Sequence, residues 1–146
     1  MVGKVKGGAM DLEAALRLYP GAESFVFGDG SALSARLIGL VRHGRKRATC
    51  GALRDFVAGE AMPMVGRCDI VRDWQGWAQL VIRTVSVETL RFCDVGAEFA
   101  LAEGEDETLE GWRAGHRDYF TRNGGFDAGM MLICERFDLV EDLAKR

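Results

Sequence analysis

Four cations fall within six residues, Arg42-His43-Gly44-Arg45-Lys46-Arg47, and Thr49 follows three positions after Lys46. A lysine crowded by two arginines is pushed toward a lower pKa by like-charge repulsion, so Lys46 can serve as a base as well as a cation for a phosphate or a developing oxyanion. A hydroxyl near that amine makes Thr49 available as an activated nucleophile or a water-orienting group. Plainer readings stand beside these: Lys46 as an exposed cation of little weight in stability, and Thr49 as the cap of the next turn. Negative charge is collected further on. Glu98, Glu103, Glu105, Asp106, Glu107 and Glu110 place six acids and no base between positions 98 and 110. Gly104 and Thr108 interleave them in the manner of a binding loop, although an ordinary solvated face has the same composition. His116 shares an apolar stripe with Trp112 and Tyr119, where a hydrogen-bonded core or rim histidine is commoner than a catalytic or metal-binding one. Trp74 and Trp77 flank a turn and can either stack on a base or pack.

These residues need elements to carry them. Asp11 can cap a short helix that runs to Leu18 and is closed by Pro20-Gly21. Ser31 can cap a second, with Leu33, Leu37, Leu40 and Val41 along one stripe and Arg42, His43 and Gly44 at its end. The basic run then reads as a loop, and Gly51 to Gly59 as a helical turn or two. Stretches 67–72 and 77–85 are rich in β-formers and enclose Asp73-Trp74-Gln75-Gly76, a hairpin connection. Thr108 can cap a helix bearing Leu109, Trp112, His116, Tyr119 and Phe120 on one side, and 130–140 reads as a long closing strand. The order predicts an α+β fold with a mainly antiparallel sheet. Its core should include Phe27, Leu37, Leu40, Ile70, Leu80, Ile82, Phe99, Leu109, Trp112, Leu132 and Phe137.

Composition narrows the function. A chain of 146 residues is the size of one domain, assigned here to 11–146 behind a flexible N-terminus at 1–10. Nineteen Lys+Arg against twenty-two Asp+Glu give a net charge of -3, the wrong balance for coating duplex DNA. No apolar run approaches the roughly 20 residues of a membrane span, and no secretory signal is evident, so a cytoplasmic location with no membrane partner is expected. Cys50, Cys68, Cys93 and Cys134 form no C-x-x-C pair and are expected as free thiols. Dinucleotide, Walker and zincin motifs are missing, so no cofactor and no metal are expected.

Taken in order, several stretches resemble a known family. Phe27-Gly28-Asp29-Gly30-Ser31, then Gly44-Arg45-Lys46-Arg47-Ala48-Thr49, resemble the opening of ASCH domains with their Gly-x-Lys-x-x-Thr loop. Pro63-Met64-Val65-Gly66 is similar to the family's strand entry. Phe92-Cys93-Asp94-Val95, Ala102-Glu103-Gly104-Glu105-Asp106, the 109–120 helix and Met131 to Phe137 resemble the rest, so that the likeness runs from about 25 to 140. Ser34-Ala35 and Arg67 depart from the acids expected at those places. The resemblance implies a PUA-like β-barrel with flanking helices and a cleft for RNA or a modified nucleoside or nucleotide. Some family members resemble amidohydrolases that remove the acetyl group of N4-acetylcytidine; by motif, their Lys, Thr and Glu fall on Lys46, Thr49 and Glu105, with Glu103 the competing acid. Asp29, Arg45, Arg47, Glu103, Trp112 and His116 are then the expected ligand-binding residues. Two readings stay open: a hydrolase of a modified nucleoside or of RNA, and a non-catalytic RNA- or nucleotide-binding module.

Overall fold

The β-rich middle of the chain becomes the spine of the molecule in the computed structural model, which describes residues 5–6 and 9–146. Its strands are β1 (Val5–Lys6), β2 (Ala9–Met10), β3 (Ser24–Phe25), β4 (Ala48–Ala52), β5 (Cys68–Arg72), β6 (Ala78–Arg91) and β7 (Met131–Asp142). Its α-helices are α1 (Leu12–Leu18), α2 (Ser31–Arg42), α3 (Leu53–Val57), α4 (Ala97–Ala102) and α5 (Leu109–Arg122).

The connection at 73–76 is a tight turn in which Asp73 Oδ1 accepts from the backbone N–H of Gln75 and of Trp77, each at 3.0 Å. It sets β5 antiparallel to β6, and β7 pairs along the other edge of β6 from Leu80↔Asp142 to Arg91↔Met131. Register shifts at Val81/Ile82 and Thr84/Ser86 interrupt that long ladder, and such bulges bend and twist a sheet. Outside this spine β4 pairs antiparallel with β7 and β3 pairs parallel with β5. The result is one seven-stranded mixed sheet with helices packed on it.

One expectation is corrected here. The implied β-barrel is not closed: among the described residues no pairing joins β3 to β4, and a cavity lies between them. β3 has only two paired residues, and the Phe56 ring packs so close to Gly51 of β4 that a Cβ there would sit 2.9 Å from it. The basic run is a turn and loop as expected, but it leads straight into a strand that the sequence did not suggest, β4. Ala48-Thr49-Cys50-Gly51-Ala52 carries one β-former, so pairing with β7 rather than propensity makes it a strand. In the segment expected to be flexible, residues 1–4, 7 and 8 lie outside the described residues, while Val5–Lys6 pairs with Ala9–Met10 and Met10 is buried.

Three apolar clusters fill the space between sheet and helices. One joins α4 and α5 to β4 and β7 around Trp112, Phe92 and Phe120; one joins α2 to β5, β6 and β7; one lies under α1. Each large side chain buried there contributes roughly 1.5–3 kcal/mol. The expected core residues are buried except Leu40 and Leu109, which are half-buried at the cluster margins. All four cysteines are free thiols, with Cys93 exposed. No helix among the described residues is long and apolar enough to cross a membrane.

Candidate functional site

The chain turns sharply where α2 ends. Gly44 adopts φ +84°, and the backbone N–H groups of Arg45 and Lys46 both donate to Leu40 O, at 2.9 and 3.1 Å. That fold-back sends Lys46 inward. Arg45 stays exposed, and the Arg47 guanidinium donates to the carbonyls of Val41 and Lys46, both at 3.2 Å. Arg47 N donates in turn to Ala102 O at 2.8 Å, tying the basic segment to the end of α4. There Gly104 has φ +74°, and a Cβ on it would collide with the Arg45 carbonyl. Glycine is what allows the acidic and basic loops to touch.

With the loops in contact, Lys46 Nζ donates to Glu105 Oε2 at 2.7 Å and to Glu103 Oε1 at 3.2 Å. It also lies 5.5 Å from the centre of the Phe27 ring, a cation–π distance. Lys46 has 0% relative exposure and Glu103 1%. Glu103 Oε2 accepts from Trp112 Nε1 at 2.8 Å and lies 3.5 Å from His116 Nε2. The His116 ring stacks on Trp112 with centroids 4.2 Å apart, and its Nδ1 is 3.0 Å from Trp112 O. The spacing of 112 and 116, one helical turn, produces this stack. Arg36 donates to Glu105 O at 2.9 Å and steadies the acidic loop from α2.

The electrostatics reverse the expectation for Lys46. Burial disfavours its ammonium, but the carboxylates of Glu103 and Glu105 outweigh burial and hold its pKa above the ordinary lysine value. Arg45 and Arg47, its neighbours in sequence, are not its neighbours in charge. Nor is Lys46 an exposed cation: removing it would strand two carboxylates, so its weight in stability is large. Glu103 is likewise buried, yet Lys46, His116 and Trp112 keep it ionised well below the usual carboxylate range. Glu105 goes the other way. Its burial and the nearby Glu103 raise its pKa despite Lys46. His116 is desolvated, but Glu103 and Glu105 lift it above the ordinary histidine value.

Thr49, Cys50, Glu103, Glu105 and His116 line a cavity of about 230 Å³. Lys46 and Trp112, both fully buried, do not line it and meet it through Glu105, Glu103 and His116. Asp29, Arg45 and Arg47, expected as ligand-binding residues, are not on its wall. Asp29 is held by Arg122 at 2.6 Å and by Asn123 at 2.7 Å, which pins the 28–30 turn to the end of α5. Arg36, Phe27 and Cys50 were not singled out as site residues from the sequence. A helical arginine, an aromatic after a strand and a cysteine among small residues carry no local sign of a cleft; helical spacing one residue before Leu37 was the one available hint for Arg36. Cys50 Sγ, a Glu103 oxygen and a His116 nitrogen lie within 4.8 Å of one another, donors of the kind zinc accepts. The Lys46 ammonium, 3.2 Å from the same carboxylate, opposes a second cation there, and burial holds the Cys50 thiol protonated, its pKa well above the usual value.

The geometry can be set beside known proteins. No curated protein sequence matches the chain. A crystal structure of an ASCH domain from Lactobacillus crispatus is similar, with a TM-score of 0.76 and 28% identity over 86% of this chain and 84% of that one. A protein from Enterococcus faecalis gives 0.75 and 34%, over 83% and 77% respectively. The family profile of the ASCH domain matches residues 23–141, which is most of the sequence and all of the site just described, so the chain belongs to the ASCH domain family.

Proposed function

We propose that this protein is a hydrolase that cleaves an amide on the exocyclic amine of a modified nucleoside, of the N4-acetylcytidine type, in the cleft lined by Thr49 and Glu105. The observation that carries the reading is the 2.7 Å contact between the fully buried Lys46 and Glu105, which lines the cavity that Thr49 also lines. A simple structural ion pair needs one carboxylate; here a second, Glu103, already supports the ammonium and is itself held by Trp112 and His116. Glu105 is thereby left to exchange a proton.

The charges divide the roles. Lys46 is an ammonium at rest, so it does not begin as the base. Glu105, with its pKa raised, takes the proton from Thr49 or from a water as oxygen attacks the acyl carbon. The Lys46 ammonium, behind Glu105, lends its positive charge to the oxyanion that develops, and as the carbon–nitrogen bond breaks the leaving amine receives the proton that Glu105 took up. Attack by Thr49 leaves an acyl ester that water hydrolyses by the same path; attack by water releases the acid directly. Products are the free amine and the carboxylic acid in either case.

The net charge of -3 favours a nucleoside over a long RNA. Incubation with N4-acetylcytidine and with short RNAs, followed by chromatography, tests the reading. The expected result is release of cytidine and acetate, reduced at least about a hundredfold in Glu105→Gln. Turnover unchanged in that variant defeats the mechanism, and binding without turnover replaces the hydrolase with an RNA- or nucleotide-binding module.

A further inference from the structure

A second cavity, of about 250 Å³, opens where β3 and β4 fail to pair and shares Thr49 and Cys50 with the smaller one. Residues 23–28 line one side and 49–52 the other. Unpaired strand edges leave backbone donors and acceptors available to a ligand. Glu135 lies on the wall at 7% exposure, and it is the register partner of Thr49 across β4 and β7. Antiparallel partners share a face of the sheet, so the carboxyl of Glu135 stands beside the Thr49 side chain.

Among the described residues the one hydrogen bond to that carboxyl comes from the Thr84 hydroxyl, Oγ1 to Oε2 at 2.7 Å. Arg67 also lines the cavity, but its guanidinium is committed to Asp69 at 2.8 and 3.1 Å and to Met62 O at 3.0 Å. A carboxyl buried with one donor is poorly served as an anion. Burial and Asp69 raise its pKa beyond what Thr84 and Arg67 recover. In its neutral form it offers one O–H donor beside one carbonyl acceptor. The remaining charge on the wall is predominantly acidic, from Glu23, Asp55, Glu60 and Asp69, which disfavours a phosphate.

We propose that this cavity is the subsite for an uncharged heterocyclic ring and that Glu135 selects it, accepting from a ring or exocyclic N–H and donating to the adjacent ring nitrogen or carbonyl. The acylated end of the ligand then reaches past Thr49 to Glu105. The placement of that acylated end rests on the hydrolase reading above; the ring subsite does not.

The test is amide-resolved NMR titration of the full chain with 1-methylcytosine and, separately, inorganic phosphate. The expected result is 1-methylcytosine shifts centred on 24–27, 49–52 and 135, and none there from phosphate. Glu135→Gln, which keeps a donor beside an acceptor, should bind within about threefold of wild type, and Glu135→Met should lose about tenfold or more. Shifts centred elsewhere, no binding by wild type, or a folded Glu135→Met that binds normally would each overturn the proposal. The wild-type map stands as a test even if Glu135→Met does not fold. Where N4-acetylcytidine is turned over, Glu135→Met should raise KM about tenfold and leave kcat within about threefold. Turnover with an unchanged KM sinks the subsite and spares the hydrolase; ring binding without turnover does the reverse.

Discussion

Replacing Lys46 by methionine tests the assignment of the buried charge network most directly. The side chain keeps its length and apolar stem but loses the ammonium, so the packing against Phe27 survives while Glu103 and Glu105 lose the cation that lies 3.2 and 2.7 Å away. Breaking one partner of a buried pair costs about 3–5 kcal/mol, because it leaves uncompensated buried charge. Glu105, with 15% of its side chain exposed, can relax toward water, whereas Glu103, at 1%, cannot. The loss therefore falls chiefly on Glu103, which His116 and Trp112 still support, and about 3 kcal/mol is expected rather than the upper figure. For a domain of this size that is a fall in Tm of about 6–12 °C. Urea denaturation at pH 7 followed by tryptophan fluorescence measures it, since Trp112 reports on the site. The double variant Lys46→Met with Glu103→Gln should recover part of the loss, because the stranded charge is gone. A single-variant loss below about 1 kcal/mol, or no recovery in the double variant, would refute the reasoning and return Lys46 to the status of a surface cation.

Gly104→Ala should destabilise the protein by about 2 kcal/mol or more, as it combines a left-handed backbone with a collision against the Arg45 carbonyl; normal stability by calorimetry would show that the loops do not touch. The His116 pKa is raised on folding, so its contribution is fully present below pH about 6.5 and is lost as pH rises through the higher folded value. NMR titration should therefore find His116 above the ordinary histidine range, and His116→Gln should flatten the stability profile over that window. Glu103 has the opposite sign: its contribution is present above pH about 4.5 and disappears as pH falls toward its depressed folded value. Alkylation without reduction should modify Cys93 in the folded protein and all four cysteines only after unfolding; recovery of a Cys–Cys peptide would contradict the free-thiol assignment.

The local elements were legible in the sequence because their signals are local. Thr108 caps α5, accepting from Gly111 N at 3.0 Å, and the 112–116–120 spacing, read as one apolar face, packs Trp112, His116 and Phe120 together. The Asp73–Gly76 turn and the two strands it joins follow from turn chemistry and β-formers. Lys46 was legible as a candidate from the charge of its own run and Glu105 as one acid of a loop, and the resemblance to a family motif singled the two out together. What only the tertiary structure decided is the charge state of that site. Sequence neighbours suggested that two arginines would depress the lysine; the fold-back at Gly44 and the close approach at Gly104 replaced those arginines with two carboxylates from 57 and 59 positions away. The same holds for β4 and for the open sheet. A strand of small residues exists because β7 supplies its hydrogen bonds, and whether a curved sheet closes depends on how its two distant edges meet, a quantity no stretch of sequence encodes. Electrostatic energy falls with distance in space and is indifferent to separation along the chain, which is why the residues could be named beforehand and their protonation could not.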